Sequence, residues 1–410
     1  MKYYFYIFYN LKFLMQQIVR NSNPSFFNFL FKITFFLLLT SNLNGQNKLV
    51  YGIERTDQYI KFLSDKKIGL VTNHTSKFYT NKPIHLVDSL INRGIDIGRI
   101  FAPEHGFRGD VDNGEKIENS VDLKTKIPIV SLYGNSRKPS ADDISELDLI
   151  IFDIQDVGAR FYTYLSTLHY IMEASAENGI KVIVFDRPNP NGHYVDGPVL
   201  ENNAKSFRGM HNVPIVYGMT IGEYALMING EKWLKNKVVC DLEVIEMIGY
   251  DRRKKYKLKE KPSPNLPNEK SINLYPSLCF FEQTPVSIGR GTNLQFQIIG
   301  HPDWIDKKFS FKPVPMVGAK YPKHNGVLCY GHNLSNTKHL SKIRLDWLIN
   351  SYNESNDKEN FFGNSFHEIA GNFDLEKQIK MGLNQVDIRA SWQTDLENFK
   401  KIRKKYLIYP

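Results

Sequence analysis

Apolar, β-branched runs alternate with helix-like patterns in the first half of the chain. Ile150, Ile151 and Phe152 follow one another without polar alternation, as in strands buried on both faces. Residues 83–93 and 162–177 have helical spacing, and Asn178-Gly179 is a helix stop signal. This alternation predicts an α/β fold with a doubly wound, mostly parallel sheet. The predicted strands are residues 67–72, 95–102, 127–132, 147–153 and 181–185.

The alternation of strand patterns with helix patterns becomes irregular after about residue 209. Pro and Gly are frequent there, as in residues 261–267, and a helix is predicted around residues 391–405. We therefore expect three parts. They are a leader over residues 1–46, a sheet domain carrying the chemistry over residues 47–208, and an auxiliary α+β domain over residues 209–410 that completes the cleft.

The first 46 residues have the sequence of segments that is typical of a secretory signal peptide. They contain no Asp or Glu, and basic residues precede a short apolar run at residues 33–39, followed by small and polar residues. The run is shorter than the ~20 apolar residues that span a bilayer. We expect cleavage near Gly45, export to the periplasm or the medium, and no stable membrane association afterwards. An uncleaved anchor is the alternative, and Met15 is an alternative start.

Composition narrows the class of protein. The net charge of the chain is +10. Its basic residues cluster at residues 252–261 and 400–405, but no nucleic-acid recognition motif accompanies them, so no nucleic-acid partner is expected. Cys240, Cys279 and Cys329 are too few and too widely spaced for a disulfide framework or a zinc site. No glycine-rich dinucleotide-binding motif follows the first strand, which disfavours a dinucleotide-dependent enzyme. The G-x-S-x-G motif that carries the nucleophile of serine hydrolases is also missing from the sequence.

Polar residues follow every predicted strand. Ligands of open parallel sheets bind beyond the carboxyl ends of the strands, so these residues are candidates for a site. The strand ends are Thr72-Asn73-His74-Thr75, Pro103-Glu104-His105-Gly106, Tyr133-Gly134, Asp153-Ile154-Gln155-Asp156 and Asp186-Arg187-Pro188-Asn189-Pro190.

Glu104 is the strongest candidate for chemistry, because it ends an apolar strand and has no helix-capping role there. Further along, Arg160, Tyr162 and Tyr164 are expected to line the crevice, since Arg suits carboxylates and aromatic rings suit sugars. A structural ion pair of Arg160 with Asp153 or Asp156 is the alternative.

The second half adds two motifs. Thr220 and Glu223 have the spacing of a capping box, which predicts a structural role for Glu223. Glu282 precedes Gly289-Arg290-Gly291-Thr292, whose glycines allow a ligand to approach the backbone closely.

These motifs resemble the NamZ-type family over residues 50–410. The resemblance implies a Rossmann-like N-terminal domain, a C-terminal auxiliary domain, and an exo-β-N-acetylmuramidase that releases N-acetylmuramic acid from non-reducing ends of peptidoglycan fragments. The motifs are Pro103–Gly109, Phe152–Tyr164, Asp186–Pro190, Pro262–Pro267 and Gly289–Thr292.

By this resemblance Glu104 is the candidate acid, with Asp156, Asp186 or Glu282 as the second carboxylate that glycosidases use. Arg160, Arg187 or Arg290 is expected to bind the lactyl carboxylate. No cofactor and no metal are expected, and the partner is a muramic-acid saccharide from peptidoglycan. The predicted substrate-binding residues are Asn73, His74, His105, Arg108, Gln155, Arg160, Tyr162, Tyr164, Asp186, Arg187, Asn189, Asn265 and Arg290.

Two other functions remain open from the residues alone. A metal-dependent hydrolase is one, with oxygen and imidazole ligands but no His-x-x-x-His spacing to support it. The other is a non-catalytic cell-wall-binding protein, which needs the aromatic and arginine residues but no poised carboxyl group. The candidate metal ligands are His74, His105, Asp153, Asp156 and Asp186.

Overall fold

The computed structural model describes residues 48–104, 106–107, 119–134 and 136–410. The predicted leader therefore lies outside the described residues. The strands are β1 (Lys67–Thr72), β2 (Lys77–Phe78), β3 (Ile84–His85), β4 (Asp96–Ala102), β5 (Ser120–Val121), β6 (Pro128–Ser131), β7 (Leu149–Asp153), β8 (Lys181–Phe185), β9 (Asp196–Val199), β10 (Pro214–Val216), β11 (Leu242–Ile245), β12 (Ile298–His301), β13 (Ser310–Phe311) and β14 (Cys329–Asn333).

Helices alternate with the first strands and predominate near the C-terminus. Short 3-10 turns lie at Gly52–Glu54, Asn202–Ala204, Lys235–Lys237 and Cys279–Gln283. The α-helices are α1 (Thr56–Leu63), α2 (Leu86–Ile91), α3 (Ala141–Ile144), α4 (Tyr164–Asn178), α5 (Ile221–Gly230), α6 (Glu269–Leu278), α7 (Asp346–Glu354), α8 (Phe366–Ala370), α9 (Asp374–Lys380), α10 (Gln385–Ser391) and α11 (Gln393–Lys404).

The central sheet has the strand order β11-β8-β7-β1-β4-β6-β5. Strand β5 pairs antiparallel with β6 at one edge, and all other pairs are parallel. Numbered along the chain, the six parallel strands have the 3-2-1-4-5-6 order of a dinucleotide-binding fold. The order reverses between β1 and β7, where ligands of such sheets bind beyond the carboxyl ends.

Successive residues of each strand face two separate apolar cores. In β1, Ile68 and Leu70 pack with α1 and α2, whereas Val71 faces a larger core formed with α4, α5 and the C-terminal helices. Both faces of the sheet are therefore covered. This explains why the sequence of β7 is apolar throughout and why all five of its residues are buried.

The end of α4 and the start of α5 agree with the sequence signals. Helix α4 ends at Gly179, whose φ of +69° is the left-handed conformation that glycine adopts without strain. At the start of α5, Thr220 accepts a hydrogen bond from the Glu223 backbone, and the Glu223 carboxylate accepts one from the Thr220 backbone. The structural role predicted for Glu223 is confirmed, and Arg252 pairs with the same carboxylate.

The predicted helix over residues 83–93 is shorter in the structure. Ile84 and His85 form β3 by pairing with β2, and the His85 ring accepts a hydrogen bond from the Val87 backbone. The helix therefore begins only at Leu86. Helical periodicity alone did not reveal the small hairpin.

The predicted α/β fold with a doubly wound, mostly parallel sheet and a C-terminal α+β part is confirmed. The sheet continues past residue 208, where the sequence placed the end of the first domain, because β11 pairs with β8. The β9–β10 hairpin and α5 separate these two strands along the chain and interrupt the pattern. No helix in the described part of the chain is long and apolar enough to span a bilayer.

Candidate functional site

A cavity of about 200 Å³ opens next to the carboxyl end of β4. Glu104, Tyr162 and Thr163 line it from the sheet side, and Asn265, Glu282 and Arg290 line it from the later part of the chain. Two carboxylates and two arginines, Arg290 and Arg208, therefore face one cavity from distant segments of the chain. Its remaining polar and aromatic lining includes Tyr133, Phe161, Arg208, Ser263, Tyr275, Gln283 and Phe296.

Hydroxyl groups hold Glu104 in place. The Thr163 hydroxyl donates to Glu104 Oε2 over 2.8 Å, and the Tyr133 hydroxyl also bonds the carboxylate. Behind them, Asn73 donates to the Tyr164 hydroxyl at 2.9 Å, and that hydroxyl donates to the Glu104 carbonyl at 3.4 Å. Asn73, which follows β1, thus helps to position Glu104, which follows β4, through the Tyr164 hydroxyl.

The pKa of Tyr133 reflects this arrangement. Burial raises it first, and the adjacent charge of Glu104 raises it further. Tyr133 therefore stays protonated near neutral pH and acts as a hydrogen-bond donor towards Glu104.

Glu282 enters the cavity from the 3-10 turn that follows α6. Arg290 donates from Nε at 2.9 Å and from Nη2 at 2.6 Å, both to Glu282 Oε1, and both side chains are partly exposed. Burial alone would raise the pKa of Glu282, but Arg290, Lys323 and Arg208 together lower it. These cations therefore favour the carboxylate form of Glu282.

Tyr162 and Asn265 form a further part of the cavity wall. The Tyr162 hydroxyl donates to the Pro262 carbonyl over 2.8 Å, and the Asn265 amide donates to the Gly318 carbonyl over 2.6 Å. The buried Oδ1 of Asn265 receives no hydrogen bond from the described residues. A ligand N–H or O–H would satisfy this acceptor.

Asp156, predicted as a second carboxylate, is not among the described residues that line the cavity. It is buried, and it accepts hydrogen bonds from the Gly158 backbone at 2.7 Å and from the Tyr217 hydroxyl. Burial raises its pKa to about 6, against the opposing effect of these donors. The structure brings Glu282, rather than Asp156, to the cavity of Glu104.

Arg160 is buried and is not among the described residues that line this cavity. Its guanidinium donates to the main-chain carbonyls of Pro198, Val213 and Ile369 at 2.9 to 3.0 Å. Burial lowers its pKa to about 9. The alternative that pairs Arg160 with Asp153 or Asp156 is wrong, because Arg160 contacts carbonyl groups and Asp153 has a different partner.

That partner is Arg187, which holds Asp153 through two hydrogen bonds of 2.6 and 2.9 Å. Both side chains are almost completely buried, so this is an internal ion pair between the ends of β7 and β8. Gln155 donates to the Pro188 carbonyl beside it at 2.8 Å. These contacts fasten neighbouring strand ends to each other.

Asp186 and Asn189 belong to the same internal network. Asp186 accepts hydrogen bonds from the Gly222 backbone and the Thr220 and Tyr409 hydroxyls at 2.7 to 2.9 Å. Burial raises its pKa to about 7. Asn189 donates to the Met219 carbonyl at 2.7 Å. Neither is among the described residues lining the cavity.

The histidine predictions have separate outcomes. The His74 ring contacts the Lys261 carbonyl at 2.8 Å, and His74 is not among the described cavity-lining residues. His105 and Arg108 lie outside the described residues. Within residues 48–104, 106–107, 119–134 and 136–410, no group of three His, Cys, Asp or Glu side chains is arranged to hold a metal ion.

Several cavity residues had no role assigned to them from the sequence. Tyr133 was a strand-end candidate and Thr163 lay within the Phe152–Tyr164 motif, so position was a usable signal for both. Arg208 lies in a loop and Tyr275 in the apolar pattern of α6, where nothing in their neighbours distinguishes them. Only the fold brings these two side chains to the cavity.

Comparison with known proteins extends over nearly the whole described chain. Residues 68–270 match the family model for the N-terminal part of the exo-β-N-acetylmuramidase NamZ, and residues 273–409 match that for its C-terminal part. A peptidoglycan β-N-acetylmuramidase NamZ of Bacillus subtilis (strain 168) is 37% identical over 377 residues, covering 86% of this chain and 89% of that protein.

Two crystal structures of DUF1343 family proteins from Bacteroides fragilis NCTC 9343 are also similar. One has a TM-score of 0.81 and 44% identity, and the other has a TM-score of 0.75 and 29% identity. Each alignment covers 88% of this chain and 99% of the other.

Proposed function

The chain belongs to the NamZ family of exo-β-N-acetylmuramidases, and from this premise we propose that it is a glycoside hydrolase releasing N-acetylmuramic acid from the non-reducing ends of peptidoglycan fragments. The observation that carries the proposal is that Glu104 and Glu282 line one cavity. Glycoside hydrolysis generally uses two carboxyl groups on either side of the scissile bond.

The surroundings of the two carboxyl groups support different roles. Glu282 is held as an anion by Arg290, so it suits the carboxylate that activates water or stabilises positive charge on the sugar ring. We assign proton donation to the leaving oxygen to the protonated form of Glu104. The hydroxyls of Thr163 and Tyr133 fix its orientation.

The lactyl carboxylate of muramic acid requires a cation in the site. Of the three predicted arginines, Arg160 and Arg187 are not among the described residues that line the cavity. Arg290 does line it, and it is paired there with Glu282. Arg208 lines it too and pairs with Glu368 near the surface. We therefore assign carboxylate recognition to Arg290 and Arg208.

The decisive test is Glu104→Gln, assayed with a disaccharide carrying N-acetylmuramic acid at its non-reducing end. Loss of the acid should lower kcat by about 10²-fold or more while binding of the sugar persists. Product release is followed by mass spectrometry and binding by calorimetry. Glu260→Gln is the matched control, because Glu260 pairs with Lys77 and is not among the described cavity-lining residues.

Two further variants identify the second carboxylate. Glu282→Gln should lower kcat strongly, whereas Asp156→Asn should leave kcat within a few-fold of the wild type. Unchanged release by Glu104→Gln would reject Glu104 as the acid. Wild-type protein that binds the disaccharide without cleaving it would instead indicate a cell-wall-binding protein.

Export is the second part of the proposal. Residues 1–46 have the charge and apolar pattern of a signal peptide, and peptidoglycan lies outside the cytoplasmic membrane. We infer a periplasmic or secreted enzyme without stable membrane association after cleavage. N-terminal sequencing of protein recovered from cell fractions tests this, and a mature chain still beginning at Met1 or Met15 would contradict cleavage near Gly45.

A further inference from the structure

The side-chain oxygen of Asn265 is an unused hydrogen-bond acceptor in the wall of the cavity that Glu104 and Glu282 line. Asn265 is 1% exposed, and its buried Oδ1 receives no hydrogen bond from the part of the chain that the structure describes. A buried acceptor without a donor costs free energy, so such an atom in a ligand cavity is a candidate for ligand binding. The choice of a substrate group for this oxygen rests on the proposed muramidase function.

The neighbouring backbone fixes which atom of the Asn265 amide is free. Nδ2 donates to the Gly318 carbonyl at 2.6 Å, and because a carbonyl only accepts, the atom on that side must be the nitrogen. Gly318 has a φ of +85°, and a Cβ there would lie 2.6 Å from Pro264 Cβ, so glycine allows this close approach. Oδ1 is therefore held as an acceptor, and a ligand group that bonds it has to be a donor.

Apolar side chains line the cavity together with this acceptor. Leu266 follows Asn265 directly, and the Tyr162 hydroxyl donates to the Pro262 carbonyl at 2.8 Å, at the start of the same segment. The ring centroids of Tyr162 and Tyr275 are 6.0 Å apart. An acetamido group combines an N–H donor with an apolar methyl group, and so suits an acceptor among apolar neighbours better than a hydroxyl does. The aromatic lining residues are Phe161, Tyr162, Tyr275 and Phe296.

We propose that Asn265 Oδ1 accepts a hydrogen bond from an acetamido N–H of the substrate and thereby selects N-acetylated sugars. In a peptidoglycan disaccharide, the released sugar and the leaving sugar each carry one acetamido group, so the same chemistry has two sources. The amide of Asn265 does not titrate near neutral pH. Its role is therefore specificity, and proton transfer belongs to the carboxyl groups.

The test uses the muramic-acid-terminated disaccharide and two analogues, in each of which an acetate ester replaces one of the two acetamido groups. The ester has nearly the same shape but no N–H. Asn265→Ala should lower kcat/KM for the parent disaccharide by about tenfold, the value of one buried hydrogen bond. On the analogue that lacks the bonded N–H, the variant and the wild type should have similar kcat/KM. Comparing both proteins on the same substrate cancels the different reactivities of amide and ester.

Two further variants separate this effect from a general disturbance. Asn265→Leu has nearly the shape of asparagine and no acceptor, so it should behave as Asn265→Ala does and replaces it if the alanine variant does not fold. Asn268→Ala is the matched control, because Asn268 caps α6 by accepting from the Ser271 backbone and is not among the described residues lining the cavity. Any loss that it causes should be the same on all three substrates.

The outcomes distinguish this inference from the proposed function. A loss on the parent disaccharide that disappears on one analogue supports the inference and identifies the sugar whose N–H is bound. Equal losses of the Asn265 variants on all three substrates, or no loss on any, would overturn the inference while cleavage by the wild type upholds the proposed function. Wild-type protein that releases nothing from the parent disaccharide would overturn the proposed function and the inference with it.

Discussion

At the scale of single residues, Asp156 and Asp186 are carboxyl groups enclosed by the protein with pKa values raised to about 6 and about 7. Burial is the main cause in both. Oδ1 of Asp156 receives no hydrogen bond from the described residues, so its negative charge is only partly compensated. The folded state therefore binds protons more tightly at these positions than the unfolded chain does.

Asp156 makes the stability of the protein depend on pH. Because its folded pKa of about 6 exceeds the ordinary value of 3.8, its contribution is complete below pH 3.8 and is lost as the pH rises through about 6. Asp156→Asn cannot titrate, so its free energy of unfolding relative to wild type should rise by about 3 kcal/mol at most between pH 4 and pH 7. Urea denaturation at several pH values measures this.

Asp142→Asn, at an exposed position, is the control for that series. Parallel curves for Asp156→Asn and wild type would show that the carboxyl group has the same proton affinity in the folded and unfolded states. The burial argument for Asp156 would then be wrong.

Sequence reasoning placed polar residues at the strand ends but could not tell which of them face a ligand. Asp153 and Arg187 look like site residues in the sequence, yet they bind each other inside the protein. Glu282 was found by its motif, but its position in the cavity of Glu104 depends on a turn far along the chain. Whether a polar side chain faces its own protein or a cavity depends on tertiary contacts that local patterns do not encode.

At the scale of elements, the contribution of the cap at the start of α5 to the stability of the protein can be measured. Thr220→Ala removes the cap that accepts from the Glu223 backbone and the hydroxyl that donates to Asp186. We expect a loss of about 2 kcal/mol in the free energy of unfolding. Thr220→Ser keeps the hydroxyl and should retain most of this stability. Equal denaturation midpoints for the alanine and serine variants would contradict the capping role.

Elements with a strong local signal were the predictable ones. The bounds of β1 and β8 follow directly from their apolar runs, and α4 ends at its predicted glycine. The two-residue strands β2 and β3 carry too few residues for a period-2 pattern. Strand β11 was not assigned to the sheet because an inserted hairpin and a helix precede it.

At the scale of the whole molecule, the cavity lined by Glu104 and Glu282 is built from both parts of the family match. Glu104 and Thr163 precede residue 270, while Glu282 and Arg290 follow residue 273. N-acetylmuramic acid bound there should stabilise the folded protein, by about 1.4 kcal/mol at ten times its Kd. Thermal unfolding at increasing sugar concentration measures this effect.

N-acetylglucosamine, which lacks the lactyl carboxylate, is the matched ligand control. It should raise Tm less than N-acetylmuramic acid at equal concentration, because it offers no carboxylate to Arg290 and Arg208. Equal shifts with both sugars would contradict the assignment of these arginines.

The strand order has a consequence for how the chain assembles. Strand β1 is the first parallel strand to be made and lies in the middle of the sheet, with β4 on one side and β7 on the other. Until residue 153 is available, one side of β1 has unpaired backbone groups in an apolar segment. Such an edge can pair with another chain, so the period before β7 arrives is when newly made molecules are most prone to aggregate.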